Sequence, residues 1–131
     1  MNILTFDVEE WFHLLDFDAT RGEEQWGKYE VRIYENVERI LNLLEETNTK
    51  ATFFVIGWVA KTYPDLVGKI AEKYEIGSHT MTHQLVWQQS PLEFRNDVEA
   101  SVFIFKPPIK WCAVGATSIG PCFMSTPTFS N

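Results

Sequence analysis

Two histidines, His79 and His83, stand at positions i and i+4, and a tight cluster of acids, Asp7, Glu9 and Glu10, lies near the start of the chain. Two imidazoles at that spacing share one side of a helical turn, close enough to grip one cation. With a carboxylate added, the set becomes two histidines and one carboxylate, the usual composition of a catalytic zinc site that keeps a position open for water. A metal there would bring the water's pKa toward neutrality, and a second carboxylate would act as general base. The acid cluster is large enough for both tasks, and residue types alone leave open which of Asp7, Glu9 and Glu10 does which. Other chemistries fit poorly. His79-Thr80-Met81-Thr82-His83 has Thr where the His-Glu-x-x-His protease helix needs Glu. Ser78 sits in no Gly-x-Ser-x-Gly elbow and reads as a turn or helix-capping group.

For these groups to meet, the chain must bring two distant stretches to one rim. Ile3-Leu4-Thr5-Phe6 is a short β-prone run that ends at the acids. From Val31 to Glu46 the apolar residues Ile33, Val37, Ile40, Leu41 and Leu44 recur with helical period while charges fill the other face, so an amphipathic helix is predicted, with Asn48 as its stop. Ala51-Thr52-Phe53-Phe54-Val55-Ile56 is apolar on both faces and stops at Gly57, as a buried parallel strand would. Pro64 suits the first turn of a second helix with a stripe of Leu66, Val67, Ile70, Ala71 and Tyr74. Glu75-Ile76-Gly77-Ser78 reads as a third strand running straight into His79. Ser90-Pro91-Leu92-Glu93 combines an N-cap, Pro at the first helical position and a capping-box Glu, opening a third helix toward Val102. Alternating strands and helices predict an α/β fold with a parallel sheet and right-handed crossovers. In such folds reactive groups gather at the C-terminal strand ends, where both the acids and the histidines fall.

Composition sets the outer bounds. The chain has 131 residues, 45% of them hydrophobic and 15% aromatic, which excludes disorder throughout and suits one domain. The formal net charge of −7, with no Lys/Arg cluster, argues against a nucleic-acid or anionic-membrane partner. No apolar run approaches a membrane span, and the acid-containing N-terminus does not resemble a signal peptide, so the expected location is cytoplasmic. Charge divides the chain into residues 1–105 and residues 106–131. All acids lie at or before Glu99, whereas residues 106–131 carry only Lys106 and Lys110, both cysteines and a Gly/Ser/Thr/Pro-rich string without helical or strand period. Two readings of this irregular stretch stand: a loose C-terminal tail, or a tail read out of frame after Phe105. Its two cysteines define neither a disulfide framework nor a zinc site.

Three stretches together carry a specific resemblance: Thr5-Phe6-Asp7-Val8-Glu9-Glu10-Trp11-Phe12-His13, Ala51-Thr52-Phe53-Phe54-Val55-Ile56-Gly57 and Glu75-Ile76-Gly77-Ser78-His79-Thr80-Met81-Thr82-His83. In residues, order and separation they resemble the polysaccharide deacetylase family (NodB homology, carbohydrate esterase family 4), over residues 2 to about 104. Asp-Val-Glu-Glu-Trp-Phe looks most like the branch found with exopolysaccharide clusters. The resemblance implies a distorted (β/α) barrel, of which this chain would be the N-terminal, truncated portion. It also implies hydrolytic removal of acetyl groups from an N-acetylated polysaccharide or oligosaccharide with one divalent metal, expected to be Zn2+. By the same resemblance His79 and His83 are metal ligands and Asp7 is the general base. Val8 stands where the family's metal-binding Asp would be, so Glu9 is the candidate third ligand and Glu10 the alternative.

The family's later Arg-x-Pro and Leu-x-His segments have no counterpart here, since no Arg follows Arg95 and no His follows His83. The general acid therefore has no good candidate, and weak or absent activity is expected. A complete barrel needs at least roughly 200 residues, so about half its strands would be missing. That would leave two open sheet edges prone to self-association, and Trp58 and Trp87 without packing partners. Trp11 and Phe12 have two readings, as aromatic faces lining a sugar cleft or as core. His13 reads as structural or exposed, Met81 as packing, and Gln84 and Gln88 as neighbours of the histidine pair with no further assignment.

Overall fold

A computed structural model describes residues 2–14, 20 and 22–105, together with the backbone of 111–112. Four parallel strands form one sheet in the order β1-β2-β3-β4: β1 (Thr5–Val8), β2 (Thr52–Val55), β3 (Glu75–Ser78) and β4 (Trp111–Cys112). Helices α1 (Glu23–Trp26), α2 (Ile33–Glu46), α3 (Gly57–Thr62), α4 (Pro64–Ala71) and α5 (Pro91–Ile104) fill the connections. Single 3-10 turns occur at Trp11–His13 and Val86–Gln88. This is the alternating α/β order that the sequence predicts. No helix among the described residues is long and apolar enough to cross a membrane.

The core follows from the two apolar patterns. The α2 stripe buries Ile33, Val37, Leu41 and Leu44, and α4 buries Leu66, Val67 and Ile70. Both press against the strand residues Phe53, Val55 and Ile76, which are fully enclosed. Each such side chain contributes roughly 1.5–3 kcal/mol by leaving water. Asn48 ends α2 as expected: it takes the left-handed conformation at φ 48°, and Thr49 N–H returns to the Leu44 carbonyl at 2.9 Å. At α5 the Ser90 hydroxyl accepts from Glu93 N–H and the Glu93 carboxylate accepts from Ser90 N–H, closing the capping box.

Five expectations change. The first strand runs Thr5–Val8 and leaves out Ile3 and Leu4, so Asp7 lies within it and Glu9 is the first acid beyond its end. Helix α2 begins at Ile33 and leaves Val31 outside, because Glu10 caps the chain at that point. Helix α5 continues past Val102 to Ile104, which carries Phe105 into the core at 1% exposure. An extra short helix, α3, follows β2 directly. Trp58 does not lack partners: it is 8% exposed and its ring meets Phe12, Trp26 and Tyr63 edge to face. Trp87, by contrast, is 78% exposed. Most of residues 106–131 lies outside the described residues, but Trp111–Cys112 pairs in parallel with Ile76–Gly77 and so belongs to the sheet. Among the described residues no further strand pairs with the outer edge of β1 or of β4.

Candidate metal centre

Register places the site. Val8, Val55 and Ser78 lie level across β1, β2 and β3, so the next residues of β1 and β3, Glu9 and His79, leave the sheet on one rim. Two strand spacings of about 4.8 Å separate them, a gap their side chains span over the end of β2. There β2 passes through the fully buried Ile56 into α3. Donor atoms of Glu9, His79 and His83 lie within 4.8 Å of one another. His79 is buried and the other two are half-buried.

The histidines do not meet in the way their spacing suggests. Residues 79–83 form a loop and no helical turn, with Thr80 at φ 64° and His83 at φ 57°. Both values are left-handed, and for a β-branched residue such as Thr80 that is a strained conformation. The turn brings the two imidazole centroids to 4.7 Å. Gly57 and Trp58, at the start of α3, donate their backbone N–H groups to the carbonyls of Thr80 and Met81 at 2.8 and 3.0 Å. Met81 packs tightly on this side. A Cβ on Gly57 would fall 2.5 Å from its sulfur and 3.1 Å from its Cα, so the close approach of Met81 favours glycine at this position. Asp97 of α5, a helix packed against α3, accepts hydrogen bonds from Met81 N–H, Thr82 N–H and the Thr82 hydroxyl at 2.7, 3.2 and 2.8 Å.

The adjacent acids Glu9 and Glu10 point to different tasks. Glu10 is 2% exposed, and its Oε1 accepts from Arg32 N–H and Ile33 N–H at 2.8 and 3.0 Å. Its carboxylate thus satisfies the first orphan donors of α2 and complements the helix dipole. It faces away from the histidines. Glu9 turns toward them, with Oε2 3.4 Å from His83 Nδ1. That oxygen is buried and accepts no hydrogen bond among the described residues. Burial raises the Glu9 pKa above the usual carboxylate range, His83 pulls it down, and Asp7 pushes it up. A buried carboxylate oxygen without a hydrogen bond, set beside two imidazoles, is a donor set whose chemistry fits a divalent metal.

Asp7 stands at the mouth, half exposed, with Oδ2 3.9 Å from His79 Nε2. It is close enough to share a water with the site and is not locked into a hydrogen bond with the ring.

His13 is neither exposed nor idle. Its Nδ1 accepts from Glu10 N–H at 2.9 Å, and its ring stands edge to face against Trp26 and Trp58. Burial, with a smaller push from His83, lowers its pKa to about 3, so it is a neutral structural group at ordinary pH. Its carbonyl lies 3.1 Å from His83 Nδ1. A proton on Nδ1 donated to that carbonyl leaves the Nε2 lone pair of His83 for a cation.

Trp11 and Phe12 separate as well. Phe12 is 1% exposed and enclosed by Trp11, His13, Tyr29 and Trp58, so it is a core group with no face open for a sugar to stack on. Trp11 is 37% exposed, with its indole N–H donating to the Glu30 carbonyl at 3.0 Å. Gln84 and Gln88 line a cavity of about 230 Å3 together with His83, Trp26 and Glu23. Ser78 is neither turn nor cap; it ends β3, and its hydroxyl meets that of Ser101 beneath α5. Sequence reading missed Asp97, which lies on a separate helix and has no spacing relation to the histidines. It also missed the His13 carbonyl, since a backbone atom leaves no trace in residue type.

Residues 4–109 match the family model for polysaccharide deacetylase. The peptidoglycan-N-acetylglucosamine deacetylase of Bacillus cereus is 39% identical over 61 residues, which cover 46% of this chain and 22% of that protein. A chitooligosaccharide deacetylase of Bradyrhizobium is 37% identical over 60 residues, or 45% of this chain and 27% of that protein. Among solved structures, one described as a polysaccharide deacetylase from Mycobacterium smegmatis superposes with a TM-score of 0.66 at 27% identity, covering 79% of this chain and 37% of the other. The chain therefore spans well under half the length of these relatives. The superposition assigns the sheet and helices to the N-terminal part of the NodB-type barrel.

Proposed function

From the premise that the chain belongs to the polysaccharide deacetylase family, we propose that it holds one Zn2+ through Glu9, His79 and His83 and carries the ligand-and-base half of an N-deacetylase acting on an N-acetylated polysaccharide or oligosaccharide. The observation that carries this reading is the convergence of those three donors, within 4.8 Å, from the ends of two different strands. When bound, the metal supplies a Lewis acid and a water of lowered pKa. Glu9 supplies a buried carboxylate oxygen, His83 a ring whose Nδ1 meets the His13 carbonyl, and His79 enters directly from β3. Asp7, at the open side of the site, is the base that takes the proton of the attacking water. Trp11 is the remaining aromatic candidate for contact with the sugar, and hydrolysis of the acetamide would release acetate and a free amine.

Protonating that amine requires a general acid, and the three histidines of the chain offer none: two are ligands, and His13 is buried with a pKa of about 3. The chain by itself is accordingly a metal-binding part with weak or no turnover. The branch resemblance in Asp7-Val8-Glu9-Glu10-Trp11-Phe12 makes an exopolysaccharide the favoured polymer, and a cytoplasmic location is proposed with it. Zinc titration and acetate release from N-acetylglucosamine oligomers test the two halves of the proposal. One zinc per chain that is lost in His79→Ala is expected, with acetate release near background. Absence of zinc uptake by folded protein would remove the site. Acetate release at ordinary enzymatic rates would show that another residue supplies the acid.

A second reading, a non-catalytic part that pairs with another chain, is favoured by exposed apolar groups: Trp87, Leu92 and Phe103 are 78, 65 and 69% exposed. Size-exclusion chromatography with light scattering distinguishes it, since a dimer at micromolar concentration supports pairing and a monomer with a cooperative melt removes it.

A further inference from the structure

We propose that Asp97 is a positioning residue for the metal centre, holding the strained loop between His79 and His83 in its ligand-presenting shape; this rests on the metal-site reading above. Two residues of that loop, Thr80 and His83, have left-handed φ angles, and neither is glycine. Such conformations persist only where neighbouring groups over-determine them. Besides the Thr80 hydroxyl, which accepts from His83 N–H at 3.1 Å, the groups that do so here act from two helices packed against each other, α3 and α5. Backbone donors at the start of α3 engage the carbonyls of Thr80 and Met81, while both oxygens of Asp97 engage the N–H groups of Met81 and Thr82. The Thr82 hydroxyl donates to Asp97 as well. The peptides that follow Thr80 and Met81 are thus restrained, and part of the strain falls on the ligand His83 itself. Asp97 is in turn fixed by its helix, because Ser101 on α5 meets Ser78 immediately before His79, and Phe105 at its end is buried in the core.

Releasing the Asp97 arm lets the left-handed residues relax and moves the two imidazole nitrogens apart. The fold should survive, since the core residues on α2, β2 and α4 do not depend on this carboxylate. Outer groups that orient ligands are generally worth 10–100-fold in metal affinity.

The test is zinc affinity of the full 131-residue chain, by competition with a chromophoric chelator, at a temperature where circular dichroism shows each variant folded. Asp97→Ala is expected to weaken zinc binding by about 10–100-fold. Asp97→Asn should fall between it and the parent, because its amide oxygen can keep the two Thr82 donors while its NH2 meets the Met81 N–H donor and cannot accept from it. Thr82→Val, which removes one of the three hydrogen bonds, should lose only a few-fold. Ser90→Ala, at the N-cap of the same helix, should lower Tm while leaving zinc affinity unchanged. Should Asp97→Ala fail to fold, the graded losses of Asp97→Asn and Thr82→Val decide the matter. Unchanged affinity in the folded Asp97 variants, or a loss matched by Ser90→Ala, overturns the positioning role while leaving the metal site intact. His79→Ala serves as the separate control. If the parent chain binds no zinc, or His79→Ala binds it equally, the site reading fails and takes this proposal with it.

Discussion

At the C-terminal rim of the sheet His83 borders a cavity of about 230 Å3, with Glu9 and His79 beside it; at the opposite rim Asn2, Leu4, Lys50, Lys73, Tyr74 and Glu75 surround a larger one of about 420 Å3. Volume would favour the second. Chemistry favours the first, because among the described residues only the C-terminal rim gathers three donors that could hold a metal. At the other rim Lys73 pairs with Glu45, and Glu75 accepts from the Thr52 hydroxyl. The rims also differ in backbone. The left-handed Thr80 and His83, a glycine in close contact and a buried carboxylate oxygen without a hydrogen bond all lie at the C-terminal end. A site is thus marked by convergent donors and by local conformations that the fold must hold in place, and a hollow alone marks nothing.

The largest expected effect breaks the comparison outright. His79→Ala should abolish stoichiometric zinc uptake, whereas Lys50→Ala at the opposite rim should leave it unchanged; equal effects in a chelator-competition titration would mean that the rims are not distinct. Next in size is Gly57→Ala, whose new Cβ meets Met81 at both sulfur and Cα, for a destabilisation of about 1–3 kcal/mol in urea unfolding. The matching change at Gly68, where no atom lies within 4 Å, should instead stabilise by about 0.5–1 kcal/mol through helix propensity.

Acid should expose the same asymmetry in the metal-free protein. Native His13 stays neutral down to about pH 3 while the unfolded chain takes up its proton near 6.5. Between those limits the unfolded state binds more protons, so stability is lost as pH falls. From about pH 6.5 to about pH 5 the loss attributable to His13 is about 2 kcal/mol. The raised pKa of Glu9 acts in the opposite sense, since the native carboxyl then holds its proton to higher pH than the unfolded one and gains stability as pH falls. The pH slope of unfolding in His13→Phe, compared with the parent, isolates the His13 share. Ser90→Ala is expected to lower stability by about 1 kcal/mol through the lost α5 cap, as a thermal melt would register.

Much of the architecture was legible because it depends on local pattern. Buried runs such as Phe53-Phe54-Val55-Ile56, the α2 stripe and the Ser90-Pro91-Leu92-Glu93 start signal each act over a few residues, and period and capping chemistry report them directly. The same holds for the presence of His79, His83 and the acids at strand ends, since a parallel order sends those ends to one rim. Which acid faces the histidines lies beyond such reasoning. Glu9 and Glu10 are chemically alike neighbours, and their separation depends on where the N-terminus of α2 packs, which the chain reaches 22 residues after Glu10. The helical turn expected for His79 and His83 fails for a similar reason. Their loop takes its left-handed form from hydrogen bonds to α3 and to Asp97, groups remote in sequence, and those contacts outweigh the local preference of Thr80. Residue type and spacing therefore supply the donors and the strands that carry them, while their aim is set by long-range packing, because a side chain's direction is the sum of contacts that no local window contains.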